Sequence, residues 1–490
     1  MSGTTRRGFL GGSASLAAAG LPSLFNIGCA GFGRSRSARL ASGGKIRLGL
    51  AGCGGRMGLS TGYGILNHFC DDCEIVCIAD PDPERWALTR AVVKARQPAT
   101  DAGRIRAFRD YREMLDRCGG ELDAVAVATP NHHHALAAVT AMRMGLHVYV
   151  EKPMALTVEE VKLMLAESRR SGVVTQVGNQ GHSEEDIRRL VEHVRAGTIG
   201  EVREVWTYDD RVNAMPYRPP SAPPPARMDW DSWCGPAPVC DYYAPTKDHN
   251  GMHPHDWHDW IGYGNGSIGN MGTHILDPVF WALGLGSPAS VTARRADWGC
   301  EGSWTVATEL EWKFPSRGSM PPVTVHWFDG LREGIPYTSE YVDGIGVCRK
   351  RGYQHLPPVV EELERKYGME LGNLGAVFIG ERGIARIAQH GGELMFGPAE
   401  LAESPAPEFI PRETGLDHYN DWIRAIRNPS RGTGCGFEYS APLAEMVLLG
   451  NVAPRAGVGR KLRWDGTRVT NCEEANAFLR TTYRKGWELA

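Results

Sequence analysis

Three stretches of this chain gather residue types that can move protons or hold hydroxyl groups. In Glu151-Lys152-Pro153 a lysine follows a run of strand-forming residues and precedes a proline that restricts the local backbone. A cationic ammonium at such a strand end can orient a hydroxyl and favour its alkoxide as charge develops, with Glu151 there to hold or neutralise it; the other reading is a solvated strand cap. In Asn270-Met271-Gly272-Thr273-His274 the four-residue spacing puts an amide and an imidazole on one helical face. His274 can accept a proton, whereas Asn270 can bind a hydroxyl but cannot take a proton or raise the basicity of His274 by charge. Asp277, one turn further on, could orient His274, or could cap or pack; His274 could itself be a buried structural imidazole.

The third stretch is His253-Pro254-His255-Asp256-Trp257-His258-Asp259-Trp260. It lacks the regular spacing of a zinc motif, and His with Trp suits sugar recognition, where indole faces cover C–H surfaces and polar tips hold hydroxyls. Sugar contact through His255 and Trp257 ranks first, a satisfied structural cluster second and a metal site third, so no metal is expected. His132-His133-His134, at a strand-end turn, reads as pocket packing.

These residues need a scaffold, and the sequence supplies its pattern. KIRLGLAGCG (residues 45–54) is an apolar run of strand length ending in glycines, followed by GRMGLSTGYGILNHF, which can begin a helix. Gly52 and Gly54 permit a tight turn that lets backbone N–H groups approach a pyrophosphate. Position 57 would complete the fingerprint with glycine; here it is Met57, with Gly58 next. A second strand pattern, residues 74–80, ends in Asp80, whose carboxylate can accept hydrogen bonds from an adenosine ribose diol and would repel a 2′-phosphate, so NAD is favoured over NADP. Strand patterns recur at 122–130 and 146–153, separated by helical periods at Pro83 to Arg96 and His134 to Met144. Alternating β and α elements imply an α/β fold with a doubly wound parallel sheet and ligands at the carboxyl ends of its strands.

The Gly-rich turn, Asp80, Ala128-Thr129-Pro130-Asn131 with His134, and above all Glu151-Lys152-Pro153 resemble the glucose-fructose oxidoreductase and inositol dehydrogenase (Gfo/Idh/MocA) family. The likeness continues through TQVGNQGH (175–182), GTIGEVREVW (197–206), WDSWCGPAP (230–238), IGNMGTHILDPVFWALG (268–284) and DHYNDWIRAI (417–426). The resemblance implies a Rossmann domain over 45–178 and a C-terminal α/β domain over 179–470 with a large, open, mostly antiparallel sheet that often builds oligomer contacts. The 416–460 segment is expected to pack back on the first domain, and 471–490 to form a tail. A homodimer or tetramer follows from the same likeness.

For the site, the resemblance implies a lysine at 152 pointing at a substrate hydroxyl and the nicotinamide, and a catalytic strip in which an Asp precedes the His by four residues. Asn270 replaces that acid, which puts the usual relay in doubt. The implied cofactor contacts are Gly52, Gly54, Gly55, Arg56, Met57, Asp80, Thr129, Pro130, Asn131, His134, Glu151, Lys152 and Asn179. The implied substrate contacts are Lys152, His182, His255, Trp257, Asn270 and His274, with Lys152, His274 and Asn270 as the catalytic set.

Composition excludes other classes. A charge of −3 with 42% hydrophobic residues is the balance of a soluble globular chain, neither disordered nor a nucleic-acid binder relying on a positive field. Thr5-Arg6-Arg7-Gly8-Phe9-Leu10 and the uncharged apolar stretch to Phe25 have the form of a twin-arginine export leader within residues 1–40, too short for a comfortable permanent span. The mature chain is therefore expected in the periplasm without a transmembrane helix; Cys29 faintly suggests a lipid anchor. Export of an already folded chain also predicts mostly buried, free cysteines. The proline-rich loop at 215–225 reads either as a stiff arm over the cleft or toward a neighbouring subunit, or as a solvated loop. Three functions remain: an NAD-dependent oxidoreductase of a sugar, polyol or glycoside with recycled cofactor, an NAD-dependent glycosidase working through a transient keto-sugar, and a non-catalytic sugar-binding protein on the same fold.

Overall fold

The computed structural model describes residues 39–489 except 59–63, 247–248, 331–337, 343–346, 352–354 and 414–415. The elements described below belong to one compact unit, Lys45–Ala490. The leader motif and Cys29 lie outside the described residues.

Apolar runs of the expected length form six strands: β1 (Ile46–Ala51), β2 (Cys73–Ala79), β3 (Arg106–Phe108), β4 (Ala124–Val127), β5 (His147–Glu151) and β6 (Thr175–Gly178). All pair in parallel, in the order β3-β2-β1-β4-β5-β6. The order reverses between β1 and β4, which opens a crevice at the carboxyl ends of the strands. Helix Pro83–Arg96 starts where Asp82 accepts from the Glu84 N–H and proline occupies the first turn. Helix Val158–Ser171 opens on a Thr157/Glu160 capping box and stops at Gly172, whose φ of 65° suits glycine. After β1 the helical pattern is realised as two short pieces, Gly55–Gly58 and Ile65–Phe69.

The second sheet contains β7 (Val202–Asp209), β8 (Ser290–Trp298), β9 (Thr305–Phe314) and β10 (Val323–Gly330), followed by the separate hairpin β11 (Thr338–Val342) and β12 (Val347–Arg351). It is completed by β13 (Gly375–Gly380), β14 (Ile384–Ile387), β15 (Met395–Gly397) and β16 (Lys461–Arg463), in the order β15-β14-β13-β7-β10-β9-β8-β16. Only the β7–β10 pair is parallel. One continuous apolar cluster joins Val125 and Val148 of the first sheet to Trp312 and Trp327 of the second.

Between the sheets runs helix Gly266–Ala282, buried over almost its whole length. Its entry residue Asn265 ties three segments together: its Oδ1 accepts from Asn131 Nδ2 at 2.7 Å, its Nδ2 donates to the Leu156 carbonyl at 2.8 Å, and its own carbonyl accepts from Asn451 Nδ2 at 2.9 Å. This knot fixes the start of the helix against the segments that follow β4 and β5 and against helix Phe437–Ala456.

Segment 416–460 lies against the first domain: Trp422 and Tyr419 pack on Phe69 and Tyr149. Residues 471–489 are not a loose tail, because Cys472, Ala475, Leu479 and Trp487 belong to the core cluster. In the proline-rich loop Met215 is buried while Tyr217 is half-exposed, and none of residues 215–225 lines the main cleft. The cysteines whose side chains are described are free, all buried except the half-buried Cys240 and Cys300. Contrary to the expectation of no C-x-x-C pair, Cys70 and Cys73 have that spacing, but burial raises both thiols, Cys70 to about 11, so neither is poised as a thiolate.

Asn265→Ala strips partners from two buried amide groups and is expected to cost about 1–3 kcal/mol. Thermal unfolding would check this; an unchanged midpoint would show that the seam is held elsewhere.

Candidate functional site

A cleft of about 740 Å³ opens at the carboxyl ends of the parallel strands and reaches the helix Gly266–Ala282. At one end lies the glycine turn. Gly52 has φ of 75°, and a Cβ there would come within 2.7 Å of the backbone of Ala128, so only glycine lets β1 and β4 close together at this point. A Cβ at position 58 would lie 2.4 Å from the Cys53 carbonyl. Gly58 therefore provides the close approach expected one residue earlier, while Met57 is buried and does not line the cleft.

Asp80 closes this turn from the side. Its Oδ2 accepts from the N–H groups of Cys53 and Gly54 at 3.2 and 3.3 Å, and its Oδ1 from Asp82 N–H at 3.0 Å. Burial raises its carboxyl, with His253 and these backbone donors opposing. His253 itself sits 3.3 Å from Asp82, which also accepts from Arg227 at 3.0 Å. Burial opposes ionisation of Asp82, but these hydrogen bonds prevail and hold its carboxyl below the usual range.

Lys152 stands at the other end, just past β5. Its Nζ donates to Asn270 Oδ1 at 2.5 Å and to the Asn270 carbonyl at 2.9 Å. Asn270 is oriented in turn by Nδ2 donation to Asn213 Oδ1 at 3.0 Å. Burial pushes the lysine down to about 7, against the attraction of Glu151. The sequence expectation of a fully charged ammonium therefore changes: an amide offers a hydrogen bond but no charge to hold the proton. Glu151 is engaged elsewhere, accepting from Gln180 at 2.9 Å and Tyr149 at 3.1 Å, with Arg56 4.0 Å away.

His274 faces the same space, with its Nδ1 2.8 Å from Asn179 Oδ1. That contact assigns the proton to Nδ1 and leaves Nε2 as an acceptor. Burial and the neighbouring His390, whose ring centroid is 3.9 Å away, push the imidazole well below its ordinary pKa. Asp277 does not orient His274. It meets His182 Nδ1 at 3.0 Å and accepts from the Tyr439 hydroxyl at 2.6 Å. His182, expected at the substrate, is buried against Trp281 and does not line the cleft; Asn179, expected at the cofactor, is likewise set back and acts on His274. His182 is set back because the face of the helix that carries Asp277 is turned toward the core and helix Phe437–Ala456, away from the cleft.

The other histidines are used as connectors. His134 bridges the carbonyls of Thr129 and Pro153, both at 2.9 Å, and burial lowers it to about 4. His132 and His133 both meet the Trp233 carbonyl. His255 pairs with Asp256 at 3.1 Å, and His258 stacks on Trp257. His255 and Trp257 line the cleft, as does Trp233; Trp230, Tyr242 and Tyr243 pack in a cluster behind it.

Residues 46–179 match the Gfo/Idh/MocA oxidoreductase family's NAD-binding Rossmann fold, and residues 206–304 match its C-terminal alpha/beta domain. The chain belongs to the Gfo/Idh/MocA oxidoreductase family. A Glycosyl hydrolase family 109 protein of Shewanella pealeana is 31% identical over 165 residues, 32% of this chain and 33% of that protein. The chain spans between about a third and two fifths of the length of the curated relatives it first matches. Among solved structures, the WlbA dehydrogenase from Bordetella pertussis in complex with NADH and UDP-GlcNAcA aligns over 86% of this chain and 99% of its own, with a TM-score of 0.51 and 17% identity. The aldose-aldose oxidoreductase from Caulobacter crescentus, complexed with glycerol, aligns over 86% and 100%, with a TM-score of 0.52 and 16% identity. At such identities the likeness speaks for the fold alone.

As a Gfo/Idh/MocA oxidoreductase the chain has NAD as its cofactor, and its residues fit one. The hydroxyl of Thr129, at the cleft wall, is buried without a partner, and the glycine turn leaves the space a pyrophosphate needs. Gly54, Gly55, Arg56, Asp80, Pro130 and Asn131 line the same cleft. Sequence reasoning missed Arg85, Arg109, Arg211, Asn213, His390 and Trp487, which line it too. Arg211 and Asn213 directly follow β7, a strand end that could have been flagged; His390 and Trp487 carry no local signal.

Asn179→Ala is expected to lower kcat about 10–100-fold with little change in KM, because His274 loses its tautomer-fixing partner. Asp277→Asn should instead lower thermal stability and spare kcat. Steady-state kinetics and thermal unfolding on both variants check the division; equal kinetic effects would contradict it.

Proposed function

We propose that this protein oxidises a hydroxyl of a sugar, polyol or glycoside, with NAD held tightly and restored within each cycle. The observation that carries the reading is Lys152: an amine at the end of β5, inside the glycine-turn cleft, anchored on a neutral amide. NAD bound there supplies the hydride acceptor. Lys152, as the free amine, takes the proton of the reacting hydroxyl while the adjacent C–H bond gives up its electron pair and the carbonyl forms; re-reduction runs the same steps backward. Asn270 keeps the amine in place. His274, neutral with Nε2 available, accepts a hydrogen bond or a proton from a neighbouring hydroxyl. His255 and Trp257 offer a polar tip and an indole face to the ring.

The twin-arginine motif supports export, and NAD is scarce outside the cytoplasm, so an exported enzyme that released its reduced cofactor would soon stall. Retention and internal recycling follow from that argument, as does a homo-oligomer from the family's open sheet. The match to Glycosyl hydrolase family 109 proteins over about a third of the chain favours a second reading, transient oxidation that acidifies an adjacent C–H and allows glycoside cleavage before re-reduction. Incubation with a glycoside panel, followed by mass spectrometry, separates the two: a free ketone supports the dehydrogenase, and released aglycone without net NADH supports the glycosidase. Neither product from any sugar that binds would overturn both.

The charge of Lys152 sets a pH dependence. The free amine prevails above its folded pKa, so kcat/KM should rise with pH through about 7. Asn270→Asp should move that rise upward by about one to two pH units, since a carboxylate favours the ammonium. Lys152→Met should lower kcat/KM about 10²–10⁴-fold. A pH profile unmoved by Asn270→Asp would show that another group is the base.

A further inference from the structure

Within segment 480–489, Trp487 forms part of the cleft wall. Trp487 is only 4% exposed and lines that cleft beside Tyr111 and His133, with ring centroids 6.2 and 5.7 Å away. Tyr111 follows β3, which pairs with β2 ahead of Asp80, on the side where the strand order places the adenosine half of a dinucleotide, and His133 follows β4 across the crevice.

Three anchors hold the segment down, each on a different part of the domain. The Arg112 guanidinium lies 3.4 Å from the Trp487 ring centroid and donates to the Gly486 carbonyl at 2.6 Å. Arg484 donates through Nε to the Gly235 carbonyl at 3.0 Å and through its backbone N–H to Pro236 at 2.8 Å, and its guanidinium pairs with Asp231. The Tyr483 hydroxyl donates to Glu160 Oε1 at 2.7 Å. The Asp231 side chain is 70% exposed, and a pair of that kind contributes at most about 1 kcal/mol, so the ion pair itself adds little to what holds the segment down.

We propose that residues 483–487 are a strap that retains the dinucleotide: Trp487 walls in its adenosine end, and release requires the strap to lift. The proposal rests on the NAD reading and adds a residue that governs how long the cofactor stays. It places retention in a packed indole with separable anchors, distinct from the groups that move protons.

The test uses the full chain loaded with NAD, diluted into NAD-free buffer, with retained NAD measured by mass spectrometry over time; no turnover is needed. Trp487→Ala should speed NAD loss about tenfold or more, Trp487→Phe should stay within about threefold of the parent, and Arg484→Ala and Tyr483→Phe should fall between them. Circular dichroism and thermal unfolding establish that each variant is folded. A folded Trp487→Ala that loses NAD at the parental rate overturns the strap. If that variant does not fold, parental rates in both Arg484→Ala and Tyr483→Phe overturn it. A parental chain that takes up no NAD overturns the dinucleotide reading itself, which is a separable failure.

Discussion

An amine buried between neutral oxygens is the constraint on which the site depends. Lys152 reaches from β5 to the helix Gly266–Ala282, where an amide oxygen and a peptide oxygen of Asn270 receive it. Taking an ammonium out of water without a carboxylate partner in hydrogen-bond reach favours the uncharged form, and only that form has a lone pair for a substrate proton. Because Asn213 holds the other end of the Asn270 amide, the acceptor cannot turn away. The arrangement works only if helix and strand meet in one register, which is the task of the Asn265 knot.

Charge in the cleft is distributed accordingly. Burial keeps His132, His133 and His134 neutral, so each donates through one ring nitrogen only, and their contacts join the turn after β4 to Trp233, Tyr111 and Pro153. Arg56, Arg85, Arg109 and Arg211 bring the lasting positive charge to a space meant for an anionic dinucleotide. Helix Gly266–Ala282 divides its labour by face. Asn270 and His274 meet the site, while Asp277 braces His182 and Tyr439 within the core.

The parallel sheet, the glycine turn and the strand-end positions of Asp80 and Lys152 could be read from the chain, because each is a local pattern: an apolar run, a glycine or acid at its end, a cap before the next helix. The same holds for the shared face of Asn270 and His274. Less local matters went otherwise. Met57 stood where a glycine was expected, and the role passed to Gly58 because the Cys53 carbonyl, not the numbering, marks the point of closest approach. His182 and Asn179 lie on one short segment, yet neither lines the cleft, and only the three-dimensional path of β6 into the turn after it decides which of them meets Asp277 and which meets His274.

Sequence by itself therefore determined the family of the fold, its cofactor and the end of the strand from which the reacting amine emerges, since periodicity and turn chemistry act over a few residues. Tertiary structure alone decided which partner each polar side chain takes, and with it the tautomer of His274, the lowered basicity of Lys152 and the place of Trp487 in the cleft wall. Those depend on desolvation and on contacts between segments hundreds of residues apart, and such energies have no signature in any single stretch of the chain.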